Sequence, residues 1–222
     1  MNAHIISETP LKPGDLKEIT RTGSRIELSA DVSERIERCR TYLDAKIKNS
    51  GELIYGVNTG FGALYNVAVG VEQLARLQRN LVMSHACGMG PEVPREIVRL
   101  MIFLKIQSLS YGHSGTQLKT VKRLVDFFNN GVCPVVYEQG SLGASGDLAP
   151  LAHMALPLIG LGEVDFRGER LSGARLNEIM GWDPIELQSK EGLALLNGTQ
   201  FMCAYGLWCL LKAQNLCLQA DM

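Results

Sequence analysis

The chain has 222 residues, 46% of them hydrophobic and 20% charged, with a net charge of −1. That composition is globular, with room for one large domain or two small ones, and it excludes a disordered chain. The near-neutral balance and an aromatic content of only 6% give no footing for nucleic acid or an anionic membrane.

The start, Met1 to Glu8, has no basic region and no long apolar core, so no signal peptide is expected. Residues 1–30 read as an irregular lead-in with short extended pieces. Val32, Ile36, Cys39, Leu43 and Ile47 then recur at three- or four-residue spacing, which predicts one buried helix face stopped by Gly51. Residues 54–70 break that pattern. Three glycines in Tyr55-Gly56-Val57-Asn58-Thr59-Gly60-Phe61-Gly62 predict a mobile loop. Leu74, Leu77 and Leu81 resume helical spacing up to about Ala86–Gly88, and Pro91 and Pro94 are expected to open the next helix. After a turn at Tyr111–Gly115, the residues Leu118, Val121, Leu124, Val125 and Phe128 mark another helical face, closed by Gly131.

A short extended run, Val132–Tyr137, leads into Gly140-Ser141-Leu142-Gly143-Ala144-Ser145-Gly146-Asp147. A very apolar helix is predicted from Asp147 to about Ile159, followed by a hairpin about Arg167-Gly168 and a short helix over Ala174–Met180. A second glycine-containing stretch, Lys190–Gln200, precedes a last helix that is apolar all round and has no evident partner in the chain. The polypeptide therefore reads as the front part of a longer helical protein, with a boundary between residues 1–198 and 199–222.

The most apolar run, Leu148–Leu161, is interrupted by Pro150, His153 and Pro157 and is too short to span a bilayer. The six cysteines, Cys39, Cys87, Cys133, Cys203, Cys209 and Cys217, form no C-x-x-C pair, and no histidines stand at zinc-ligand spacing. No metal is expected. Buried, reduced thiols in a cytoplasmic protein are. His113 and His153 are assigned to structure.

The chemically distinctive stretch is Ala144-Ser145-Gly146. Gly146 lacks a Cβ, so its amide nitrogen can approach the Ala144 carbonyl carbon. Closure of that five-membered ring, with loss of two waters, one of them carrying the Ser145 hydroxyl oxygen, gives a 4-methylidene-imidazol-5-one. Such a ring is an electrophile, which no ordinary side chain supplies. The same residues also read as a plain loop with Asp147 capping the following helix. A nucleophile elbow would need glycine where Asp147 stands, and a phosphate loop would need a Gly-Lys-Ser/Thr run that does not occur.

Four stretches stand out together: Tyr55–Gly62, Ser84-His85, Gly143–Asp147 and Leu196-Asn197-Gly198-Thr199-Gln200. With them the chain resembles the histidine/phenylalanine/tyrosine ammonia-lyase family from about Leu11 onward, and most of all its histidine-specific members. The resemblance implies a mainly α protein of the helical ammonia-lyase/fumarase-like architecture, with a small mixed α/β N-terminal part and truncated relative to the family. It implies a methylidene-imidazolone built from Ala144, Ser145 and Gly146, and the non-oxidative elimination of ammonia from L-histidine to trans-urocanate. Tyr55 stands where the family has its general base. A phenol is protonated at neutral pH unless its surroundings tune it. Asn197 is expected to bond the ring or the substrate, with Gln200 in the same network. Asp147 would assist cyclisation, and Gly62 would support the Tyr55 loop. Ser84 and His85 occupy the position that selects the substrate ring. The family works as a homotetramer whose later residues complete each site, and none of those residues occurs here. Tyrosine or phenylalanine lyase chemistry, an aminomutase, and a catalytically inert helical assembly fragment are the alternatives.

Overall fold

A computed structural model describes residues 3–20, 24–50, 52–142 and 146–222. Gly51 and the Gly143-Ala144-Ser145 segment, which carry a helix stop and most of the ring precursor in the sequence reading, lie outside the described residues.

The lead-in is more ordered than its sequence suggests. Strand β1 (His4–Ile6), helix α1 (Pro13–Thr20) and strand β2 (Ile26–Leu28) form a crossover in which β1 and β2 pair in parallel, His4 opposite Ile26. Among the described side chains of α1 only Leu16 and Ile19 are buried, too few apolar residues for a periodic signal. Helix α2 (Ala30–Ser50) follows, with Val32 and Ile36 in the core and Leu43 and Ile47 half-buried.

Helix α3 (Val71–His85) leads to strand β3 (Met89–Glu92), which contains Pro91. Only Pro94 stands at the start of helix α4 (Arg95–Ser110). The core is built around α4. Its Ile97, Val98, Leu100, Met101, Ile102, Phe103, Ile106 and Leu109 are all almost fully buried. Helix α5 (Leu118–Asn130) packs on it and ends at Gly131, which takes the left-handed conformation that favours glycine (φ 68°).

Strands β4 (Cys133–Pro134) and β5 (Tyr137–Gln139) precede helix α6 (Leu148–Ala155). The predicted helix to Ile159 is α-helical only to Ala155 and then tightens into a 3-10 turn over Leu156–Ile159. Pro157 has no N–H to give the His153 carbonyl, so the α ladder cannot continue. The hairpin β6 (Glu163–Phe166) and β7 (Glu169–Ser172) turns at Arg167-Gly168 as expected, with both residues at positive φ, and β4 pairs with β6. Helix α7 (Gly173–Met180) is capped by Ser172 Oγ, which accepts from Arg175 N. Helices α8 (Glu191–Leu196) and α9 (Gln200–Ala220) complete the order.

The architecture is mainly α with small sheets, as the sequence implied. Two expectations fail. Helix α9 does have a partner: it packs along α4, burying Phe201 and Ala204. It still exposes Met202, Leu210, Leu216 and Leu218 on its outer side. Of the six free cysteines only Cys133 is buried. Cys39 is half-buried, and Cys87, Cys203, Cys209 and Cys217 are exposed, three of them on the side of α9 turned from the core. Among the described residues no helix is long and apolar enough to cross a membrane.

Candidate active site

The centre of the site is the junction between the start of α6 and the link from α8 to α9. Gly146 and Gly198 form an isolated parallel bridge, and Asp147 N donates to Gly198 O at 2.8 Å. Gly146 stands at φ 95°, and a Cβ there would overlap the Gly198 carbonyl oxygen. The backbone conformation and the close approach both require glycine.

Asp147 is buried and stands at the head of α6, but its carboxylate does not cap that helix. Oδ2 instead accepts from Phe201 N at 2.8 Å and Met202 N at 3.1 Å, capping α9. An anion at the positive end of a helix also gains from the aligned peptide dipoles. The sequence reading placed this cap on the wrong helix because it could see only the local one.

Asn197 closes α8, with its side chain exposed and its backbone held from below. Lys105, 1% exposed on α4, donates from Nζ to Ala194 O at 3.1 Å and to Asn197 O at 3.2 Å. Burial pushes its ammonium down to about 7, against the pull of the Asp147 carboxylate. The sequence reading missed Lys105, although a signal exists: it is the one charged residue in the buried run Leu100–Leu109.

The other end of α8 is anchored by Glu191, which is fully buried. Its Oε1 accepts from Gln117 N at 2.8 Å and Thr120 Oγ1 at 2.7 Å. Its Oε2 accepts from Gln188 N at 2.8 Å and from Gln117 Nε2. Gly192 N donates to Gln78 Oε1 of α3 at 2.9 Å, and the buried Arg40 holds Gly115 O and Ser189 O at 2.7 and 2.9 Å. The stretch Ser189–Gln200 is thus fixed from α2, α3, α4 and α5. Gln200 folds back so that a Cβ on Gly198 would overlap its Oε1, and that buried oxygen has no hydrogen-bond partner among the described residues.

Ser84 and His85 end α3, which packs on both α6 and α8. Ser84 Oγ donates to Leu81 O at 3.0 Å, and His85 Nδ1 lies 2.8 Å from the same oxygen. A carbonyl only accepts, so Nδ1 carries the proton and Nε2 is left as an acceptor.

Tyr55 is 56% exposed and meets Phe61 edge to face at 5.9 Å. Its loop touches α8, because a Cβ on Gly56 would overlap the Leu193 side chain. The loop is less free than its glycines suggest. Asn58 Oδ1 accepts from Ile54 N and Asn58 Nδ2 donates to Glu52 O, each at 2.7 Å, and Gly60 N donates to Val67 O at 3.0 Å. Gly62 is exposed, with open space around it, and its φ of 57° opens a 3-10 turn. His153 is structural as expected: Nε2 accepts from Gly88 N at 2.9 Å, and burial lowers its pKa.

The structure therefore brings Gly146, Asp147, Asn197 and Gln200 into one junction. Ser84-His85 and the Tyr55 loop stand on elements packed against it. A sequence model described as aromatic amino acid lyase matches residues 11–222. The chain belongs to the aromatic amino acid lyase family. Among curated lyases of the family, it is 50% identical over 203 residues to histidine ammonia-lyase of Symbiobacterium thermophilum. It is 52% identical over 184 residues to that of Deinococcus radiodurans. These alignments cover 91% and 83% of this chain but 40% and 35% of those enzymes. Among solved lyase-family structures, phenylalanine aminomutase of Pantoea agglomerans superposes with a TM-score of 0.86 at 35% identity, covering 93% of this chain and 39% of that one.

Proposed function

We propose that the chain is the N-terminal part of a histidine ammonia-lyase, which eliminates ammonia from L-histidine to give trans-urocanate. The observation that carries this reading is the glycine junction Gly146–Gly198 beside Asn197, in a chain about half identical to two histidine ammonia-lyases. The aminomutase likeness is the more distant, at 35% identity.

The residues fit a methylidene-imidazolone formed from Ala144, Ser145 and Gly146. Gly146 is held at a φ that only glycine adopts readily, in contact with backbone on the side where a Cβ would stand. When formed, the ring supplies an electrophile that no side chain offers. The chain's own groups do the rest. Asp147 and Gly198 hold the Gly146 backbone. Asn197 presents an amide that bonds ring or substrate without changing charge, and Gln200 carries a buried oxygen, unpaired among the described residues, in the same network. Tyr55, as the phenolate, takes the proton from the substrate β-carbon and becomes the phenol, with Gly62 supporting its loop. His85 Nε2 accepts from the imidazole N–H of histidine, with Ser84 beside it, so this pair favours that ring over a phenyl ring. We assign residues 1–198 to the ring-bearing domain and 199–222 to the start of a central bundle, in a cytoplasmic homotetramer.

Mass spectrometry of the intact chain should find it two waters lighter than its sequence, and the complete enzyme should convert L-histidine to an ultraviolet-absorbing acrylate. Ser145→Ala is expected to restore the unmodified mass and abolish turnover. Tyr55→Phe should keep the mass loss but lower kcat by about 10²–10⁴-fold, as for removal of a general base. Cinnamate or coumarate in place of urocanate would transfer the assignment to a phenylalanine or tyrosine lyase. An unmodified wild-type mass would leave an inert helical fragment.

A further inference from the structure

Lys105 is a buried lysine with no carboxylate in contact among the described residues, and the proposed turnover makes no use of it. A lysine in a core is costly unless its donors are satisfied. This one satisfies two of them on Ala194 O and Asn197 O, at the C-terminal end of α8. The Asn197 carbonyl and the Gly198 nitrogen share one planar peptide group. Fixing that oxygen therefore fixes the plane on which Gly146 rests, since Gly198 N and O both stand against the position of a Gly146 Cβ. From the same peptide the chain runs to Gly198 O, which accepts the Asp147 N–H at 2.8 Å. Lys105 thus reaches Gly146 through the Asn197–Gly198 peptide and Asp147 one peptide further on, through Gly198 O, and it also fixes the backbone from which the Asn197 side chain projects.

We propose that Lys105 is a positioning residue for ring closure: through the Asn197–Gly198 peptide it holds Gly146 in the conformation from which its nitrogen attacks the Ala144 carbonyl. This rests on the ring-forming reading above. In the closure, a bond forms between Gly146 N and Ala144 C. The Ala144 oxygen leaves as water with the amide hydrogens of Ser145 and Gly146. The Ser145 hydroxyl leaves as a second water with the Ser145 Cα hydrogen. No oxidant or reductant is consumed. Lys105 takes no proton in these steps. Its contribution is to keep the two backbones in register while they occur, an effect of orientation.

The test is Lys105→Met, which fills the buried stem with an apolar chain of similar length, beside Lys105→Arg, which restores donors. Two readouts are taken on the full chain: the intact mass, and hydrogen exchange at the Asp147 amide. Lys105→Met should melt cooperatively, carry a mass two waters heavier than wild type, and exchange the Asp147 amide faster by on the order of tenfold. Exchange in α5 should stay unchanged. Lys105→Arg should recover the mass loss and the slow exchange at least in part. A Lys105→Met chain with wild-type mass and wild-type Asp147 exchange would overturn the proposal. An unmodified mass in the wild type would refute the ring itself. That outcome ends the proposal together with the reading it rests on, whereas a ring-bearing wild type with an unaffected Lys105→Met chain ends the proposal alone. If the methionine variant does not fold, Lys105→Leu, which likewise removes the donors, is read in the same way.

Discussion

Gly146→Ala is expected to destabilise the chain by about 2–6 kcal/mol and to leave it at its unmodified mass. Two costs combine. A φ of 95° is strained for any residue with a Cβ, worth about 1–3 kcal/mol. The added methyl would also overlap the Gly198 carbonyl oxygen, which is backbone and cannot rotate away. Relief requires Gly198 to retreat, and that breaks the 2.8 Å bond from Asp147 N and shifts the carboxylate that caps Phe201 and Met202. Overpacking of this kind adds about 1–3 kcal/mol. Gly198→Ala is the informative comparison. It too stands at positive φ, 149°, but its Cβ would meet the end of the Gln200 side chain, which can swing aside. The urea midpoint of Gly198→Ala should therefore fall less than that of Gly146→Ala. Equal losses, or a Gly146→Ala chain two waters lighter than its sequence, would contradict the close-approach argument.

The parts of the fold legible in the sequence are those written in local periodicity. Val121, Leu124, Val125 and Phe128, with Gly131 after them, marked α5 and its stop, and Arg167-Gly168 marked the hairpin. What escaped depended on partners distant in sequence. Asp147 looked like the cap of its own helix, and only the tertiary fold delivers its carboxylate to the amides of Phe201 and Met202. The β1–α1–β2 crossover is built from three-residue strands, too short to alternate visibly. Lys105 and Glu191 were passed over because charge on a helix is usually solvent-facing. The apolar neighbours of Lys105 could have revealed it, whereas nothing local to Glu191 tells that Gln117 and Thr120 come to meet it. The residues that meet at the junction, Gly146, Asp147, Asn197 and Gln200, stand in stretches that glycines and motif order single out. The glycine at 146 now has a geometric reason, namely the Gly198 backbone pressed against it.

Glu191→Ala is expected to cost about 3–5 kcal/mol, more than any exposed charge in the chain. The carboxylate satisfies two backbone N–H groups, those of Gln117 and Gln188, together with the Thr120 hydroxyl and the Gln117 side-chain amide. Removing it takes their acceptor from all four donors, of which the Thr120 hydroxyl is fully buried and Gln117 Nε2 keeps Glu186 O. It also withdraws a negative charge from the N-terminus of α5, where Gln117 is the capping residue. Glu191→Gln would not be conservative, because its amide NH2 must face donors with a donor. Arg170→Ala is the counterweight. Arg170 pairs with Glu92 and Asp165 at 2.8 and 2.7 Å, but all three side chains are more than a third exposed, so its loss should cost under about 1 kcal/mol. The functional consequence follows from geometry. Glu191 and Asn197 lie at opposite ends of the single helix α8, so releasing the first loosens the peptide that seats Gly146. Glu191→Ala should therefore lower the urea midpoint and also leave part of the chain two waters heavier than wild type, while Arg170→Ala changes neither. A Glu191→Ala chain with full stability would show that water replaces the carboxylate at those four donors, and that α8 is held by Lys105 and Gln78 alone.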